Sequence, residues 1–405
     1  MKLFNNPLVY LTFSVVFAAC GNPNTAQKET PKEEEKTASY AVQMADAEIK
    51  RTPDPRYLDF REKPKWEYTN GLVCLAMMRV WETTGDEKYL DYATFYADSM
   101  ILDDGNIVTY SKTAYNIDRV NPGKFLIDLY KNTEKSKYKR AVDTLRQQMR
   151  EHPRTSEGGF WHKKRYPHQM WLDGIYMGSP FLAQYAAEFN EPALFDDVAN
   201  QILLADKYMY SKEKHLYYHG WDESREQDWA DNETGLSPNF WGRAMGWYAM
   251  ALVDALDFFP KDHPKRDSIL VVVDRVASGL AQYQDEKSGV WYQVLDQGSR
   301  EGNYLEASAS SMFTYFYLKA LRKGYIDEDK YSTVAEKAWN GVLESFIEEN
   351  EDGTISITNV CGVAGLGGDP YRSGTYEYYV NEVKRDNDPK AVGPFIMAAL
   401  EHEKQ

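Results

Sequence analysis

Cysteine is scarce in this chain of 405 residues, which has only Cys20, Cys74 and Cys361. No disulfide framework and no metal-ligand spacing can be built from them, and Cys74 and Cys361 read as free, buried thiols. Histidine is also rare, with seven in all. The one HxxxH spacing, His215 to His219, falls in an extended segment and not on a helix, so neither a metal nor another cofactor is expected. Positive charge falls short of negative, giving a net charge of −15. That balance excludes nucleic acid and an anionic membrane surface as partners. It also means that an anionic ligand needs a locally positive site.

Long apolar runs are missing as well. The one candidate, Leu8 to Ala19, is too short to span a bilayer but suits a signal-peptide core. Ala18 and Ala19 directly before Cys20 fit a bacterial lipoprotein cleavage site, with Cys20 as the lipidated first residue of the mature chain. A plain secretory signal cut nearby would export the protein too. The following GNPNTAQKETPKEEEK has no apolar period and reads as a disordered tether. The expected organisation is a signal peptide over 1–20, a tether over 21–44 and one folded domain over 45–405. The protein is expected to be an exported bacterial lipoprotein of the cell envelope, touching membrane only through its anchor.

What the folded part does contain is a repeat. Amphipathic helices recur in pairs: Gly71–Thr84 with Lys88–Leu102, Gly123–Asn132 with Lys137–Arg150, and Asp173–Phe189 with Ala193–Tyr210. Arg243–Phe259 with Arg266–Tyr283 and Leu305–Lys323 with Tyr331–Glu348 follow, and a last helix covers Pro389–Glu403. Apolar residues fall three and four apart, as in AMGWYAMALVDAL, which marks one buried face. After each second helix comes a brief extended segment such as GGFWHK or KHLYYHG. These segments recur at roughly 55 to 75 residues, the signature of repeated supersecondary units. With an early helix near Gln43–Arg51 the count reaches six pairs. The predicted fold is all-α, an (α/α)6 barrel whose short strands rim one end; an open solenoid is the competing architecture.

This register brings chemistry to one mouth. His162 and His219 occupy matching places in successive rim segments, whereas His152, His263 and His402 read as surface residues. Asp173 and Arg243 open the inner helices that follow. An aspartate in such a place also serves as a helix N-cap, but Trp171, Tyr176 and Met177 form a half-apolar wall that raises a carboxyl pKa. The helix N-terminus opposes that shift by favouring the anion. Asp118, before a Pro-Gly turn, is either a turn former or a second carboxylate that pushes Asp173 upward. Trp241 and Trp247 bracket Arg243 as if to hold a planar cation for a carboxylate, although an arginine there also snorkels or pairs structurally. Tyr68 holds a further mouth position, and GLGGDPYRSGTYEYYV reads as a rim loop.

The motifs WLDGIYM, YYHGWDES, WGRAMGWYAMALVDAL and NIDRVNPGK, with GGDPYRSGTYEYY and NDPKAVGPFIMAALE near the end, resemble glycoside hydrolase family 105, the unsaturated rhamnogalacturonyl hydrolases. The likeness runs through the whole chain after the tether. It implies Asp173 as catalytic acid and base and Asp118 as the second acidic residue. It also implies His162, His219, Trp241, Arg243, Trp247, Met177 and Tyr68 as substrate contacts. The implied substrates are unsaturated oligosaccharides left by polysaccharide lyases, of rhamnogalacturonan or ulvan type. The implied reaction hydrates the C4=C5 bond of the terminal uronate. A non-catalytic glycan-binding lipoprotein and a polysaccharide lyase on the same toroid are the alternatives. The first needs no convergence of Asp173, Asp118, His219 and Arg243, and the second would keep some activity without Asp173.

Overall fold

The computed structural model describes residues 38–405, so the expected signal peptide, Cys20 and the tether up to residue 37 lie outside the described residues. In chain order the long helices are α1 (Tyr40–Arg51), α2 (Tyr68–Thr84), α3 (Glu87–Met100), α4 (Gly123–Thr133), α5 (Ser136–Glu151) and α6 (Leu172–Glu188). They continue with α7 (Ala193–Met209), α8 (Gly242–Leu256), α9 (Arg266–Gln282), α10 (Ala307–Arg322) and α11 (Glu328–Phe346). A short α12 (Tyr376–Val380) precedes the last helix, α13 (Pro389–His402). The domain thus begins ahead of the expected boundary at 45. α1 starts at Tyr40, capped by the Ser39 hydroxyl, which accepts from Val42 N–H.

The joints explain why the hairpins form where they do. α2 stops at Gly85, whose φ of 72° suits a glycine C-cap. Asp86 then accepts from Lys88 N–H and starts α3. Asp327 and Asp388 cap α11 and α13 in the same way. The two kinds of helix differ in burial. Every residue of α8 is buried, from Gly242 to Leu256, whereas α5 buries one stripe and exposes its Lys and Arg. A helix apolar all round belongs inside and an amphipathic one outside.

Inner helices touch in the cyclic order α2, α4, α6, α8, α10, α13 and back to α2, which closes a ring. α1 packs on α13 as that helix's outer partner. The six-pair toroid is therefore present, and no open end remains among the described helices. Cys74 and Cys361 are free and buried.

Short strands gather the rim. Gln169–Trp171 pairs antiparallel with Gly220–Asp222, placing Trp171 opposite Gly220. The His162 N–H donates to the Gln169 carbonyl at 2.7 Å, and Ile117 N–H donates to the His162 carbonyl at 3.3 Å. Three separate rim segments, carrying Asp118, His162 and His219, are thereby bound to one another through main chain alone.

Candidate active site

A cavity of ≈ 1300 Å³ opens at this rim. Asp173, Asp118, His162, Met177, Trp247 and Tyr68 all line it. Asp173 lies in the first turn of α6, but the N-cap position is Trp171, which makes no side-chain cap bond. The Asp173 carboxylate is therefore not spent on the helix. Its Oδ2 faces His219 Nε2 at 3.2 Å, and neither atom has an aligned hydrogen-bond partner.

Burial pushes the Asp173 carboxyl upward, but the charge of His219 and its contact with the carboxylate outweigh it and hold Asp173 below the usual carboxylate range. This corrects the expectation that the apolar wall and Asp118 would prevail; the resting group is an anion. His219 is fully buried, and its Nδ1 lies 2.7 Å from the Tyr379 hydroxyl. Nε2 carries a proton towards the ionised carboxylate, and the Tyr379 hydroxyl against Nδ1 fixes the orientation of the ring. Trp241 stacks on Tyr379 with centroids 5.7 Å apart and lies 4.8 Å from the His219 ring.

Asp118 has different company. Lys163 Nζ pairs with its Oδ2, and His162 Nε2 lies 3.4 Å from Oδ1. The turn-forming role falls to Asn116, whose side chain accepts from Asp118 N–H. Burial, and then the charge of Lys163, press His162 well below the usual imidazole range, so it stays neutral. Its ring stacks on Trp171 at 4.3 Å. Trp171 also meets His219 edge-on at 5.4 Å and so separates the two histidines. Beneath, Trp247 stacks on Tyr176 at 4.9 Å and meets Tyr68 edge-on at 6.2 Å.

Arg243 and Trp241 are not on the cavity wall. Arg243 is 1% exposed. Its guanidinium donates to the carbonyls of Cys361 at 2.6 Å and Gly362 at 3.3 Å and to Ser308 Oγ at 3.2 Å. In place of a carboxylate, this arginine braces the rim segment at 361–362, which is the structural pairing open to it in sequence. His219 also stands behind Asp173 rather than lining the cavity, and His152 is 3% exposed rather than on the surface.

Sequence reasoning missed Lys163 and Tyr379. The first adjoins His162 in a run of cations, and that run was its signal. The second lies 160 residues from its partner, a contact that no local pattern announces. Among the described residues no cluster of three His, Cys, Asp or Glu is placed to hold a metal.

Comparisons with known proteins agree with this geometry. The model for Glycosyl Hydrolase Family 88 matches residues 40–405. A solved glycoside hydrolase from family 105 of C. acetobutylicum ATCC 824 is 44% identical, with a TM-score of 0.88, covering 91% of this chain and 100% of that one. Protein Atu3128 of Agrobacterium fabrum is 40% identical over 230 residues, which is 56% of this chain and 97% of that protein. Unsaturated rhamnogalacturonyl hydrolase YesR of Bacillus subtilis is 26% identical over 331 residues, 80% of this chain and 85% of that protein. A helical toroid with one free aspartate at its mouth, matched from its first helix to its end, belongs to Glycosyl Hydrolase Family 88, with family 105 enzymes among its structural kin.

Proposed function

We propose that this glycosidase removes the 4,5-unsaturated uronate from the non-reducing end of lyase-generated oligosaccharides by hydrating the C4=C5 bond. The observation that carries this reading is the unequal state of the two carboxylates. Asp118 is committed to Lys163 and His162, whereas among the described residues Asp173 faces only His219. Retaining and inverting glycosidases need two working carboxyls; hydration of a vinyl ether needs one.

In the resting enzyme Asp173 is an anion. A uronate carboxylate arriving beside it adds a like charge, raises its pKa and loads the proton. Asp173 then gives that proton to C4, and positive charge develops at C5 and the ring oxygen. Water adds at C5 and returns a proton to Asp173, so the cycle is proton-neutral. The hemiketal opens, freeing the neighbouring sugar and a 4-deoxy-5-keto uronate. His219, held by Tyr379, orients the carboxyl, and Trp171, Trp247 and Tyr68 offer ring faces to the sugar. The pectic or ulvan origin of the substrate belongs to this proposal.

The test follows the absorbance of the conjugated double bond as protein is added to pectic and ulvan lyase digests. Loss with wild type and at least a thousandfold slower loss with Asp173→Asn is the expected result, the scale of removing a group on which both proton transfers depend. No loss on any unsaturated digest would favour a binding protein, and a rise on intact polymer would favour a lyase. Lipid anchoring at Cys20 is part of the same reading. Cys20→Ser should move the protein from the membrane fraction to the soluble one, and an unchanged distribution would remove the anchor. Among the described residues no helix is long and apolar enough to cross a membrane.

A further inference from the structure

The glycine-rich segment before α12 takes no part in the reaction above, yet it is built around one side chain. Arg372 donates from Nε to the Gly367 carbonyl at 2.8 Å and from Nη2 to the Leu366 carbonyl at 2.9 Å. Nη2 also donates to the Tyr166 hydroxyl at 2.7 Å. A Cβ on Gly365 would stand 2.1 Å from Arg372 Nη1, so only glycine leaves room for the guanidinium. The loop thus holds Arg372 over two stacked rings, 5.6 Å from Tyr166 and 5.7 Å from Trp171. All three acceptors are neutral. The charge is fixed in place but not cancelled.

Its surroundings are positive too. Ten Lys and Arg side chains line the cavity against five carboxylates, in a chain whose net charge is −15. Six of the ten are matched: Arg61, Lys65 and Arg119 reach Glu67, Lys163 reaches Asp118, Lys390 reaches Asp59 and Asp388, and Arg385 reaches Asp388. Lys63, Lys164, Arg165 and Arg372 form no ion pair among the described residues. Lys164 and Arg165 are exposed at the mouth, and Arg165 lies 4.8 Å from the Tyr166 ring on which Arg372 is also held. A single uronate carboxylate beside Asp173 does not account for uncancelled charge that extends from Trp171 out to the mouth. Like charges gathered in this way repel one another until an anion arrives.

We propose that Arg372, Arg165 and Lys164 form a second anion subsite, which takes a sulfate ester or a carboxylate on the sugar next to the unsaturated uronate. The assignment rests on the hydrolase reading, which puts the uronate at Asp173 and sends the rest of the chain out through the mouth. Trp171, which lines the cavity and is backed by the buried Tyr166 ring with centroids 5.1 Å apart, gives that second sugar its apolar contact. Nη1 of Arg372, the terminal nitrogen not engaged by Leu366 or Tyr166, donates to the sugar's anionic group.

The experiment measures kcat/KM on matched unsaturated disaccharides. One pair differs only by a sulfate on the second sugar, and the other only by a carboxylate there. Wild type should prefer the anionic member of one pair by about tenfold or more, the scale of one charge-assisted contact. The pair that shows the preference identifies the group. Arg372→Ala, and separately Lys164→Ala combined with Arg165→Ala, should reduce that ratio toward unity, mainly through KM, and added salt should reduce it in wild type. Should Arg372→Ala fail to fold, the exposed pair still decides. Equal rates on both members of both pairs, or a ratio untouched by either variant, would overturn the subsite while leaving the hydrolase intact. Inactivity on all four disaccharides would overturn the hydrolase reading itself.

Discussion

At the scale of single residues the site turns on who holds His219. Its Nε2 faces Asp173 and lowers the carboxyl, while Tyr379 fixes the ring from the other side. Tyr379→Phe keeps the ring that stacks on Trp241 and removes only the hydroxyl. His219 can then turn, and its hold on Asp173 weakens. The sign follows from the causes: burial raises Asp173, and less of the opposing histidine effect lets the carboxyl protonate at higher pH. We expect kcat to fall about tenfold to a hundredfold with KM changed less. Because Asp173 must carry a proton to donate to C4, the alkaline limb of the kcat/KM profile should move to higher pH, and melting temperature should stay close to wild type. A uniform loss with an unmoved profile would make Tyr379 a packing residue only. Asp173 and Asp118 were legible in sequence because each opens a repeat unit at the same end. The fate of Arg243 was not, because its partners are carbonyls of a segment 118 and 119 residues away.

At the scale of elements, what matters is how closely the inner helices approach at the rim. Gly71, in the first turn of α2, would put a Cβ 2.6 Å from Pro122 Cα. Pro122 is the N-cap of α4, and Asp118 lies in the turn just before it. Backbone cannot swing aside as a flexible side chain does. Gly71→Ala should therefore cost about 1–3 kcal/mol, the range for overpacking, and should shift the turn that pairs Asp118 with Lys163. Denaturant unfolding would read the first effect and kcat/KM the second; a variant with wild-type values for both would show that the contact relaxes freely. Helix order and pairing could be read from apolar period and charged joints. The contacts between neighbouring hairpins could not, because 3.6-residue periodicity says which face is buried and nothing about which helix covers it.

At the scale of the whole molecule, the ring depends on its two ends meeting. α1 is the outer partner of α13, and α13 completes the inner ring between α10 and α2. Lys390 of α13 lines the cavity beside Asp59, so the closure also positions part of the mouth. The tether expected from composition ran to residue 44, because Glu- and Lys-rich sequence continues close to α1 and blurs its start. A chain beginning at residue 45 would lose the Ser39 cap, the Tyr40 ring set edge-on to Trp339 at 5.9 Å, and the fully buried Ala41 and Met44. Burying a methionine contributes about 1.5–3 kcal/mol and a cap about 1 kcal/mol. The shortened protein should melt several degrees below one that begins at residue 38. Its activity at low temperature should survive, since Asp173, His219 and Tyr379 lie outside the deleted turn. Equal melting temperatures would mean that the ring closes without this helix start. Activity lost at every temperature would mean that α1 acts on the mouth through α13 and is not merely a clasp.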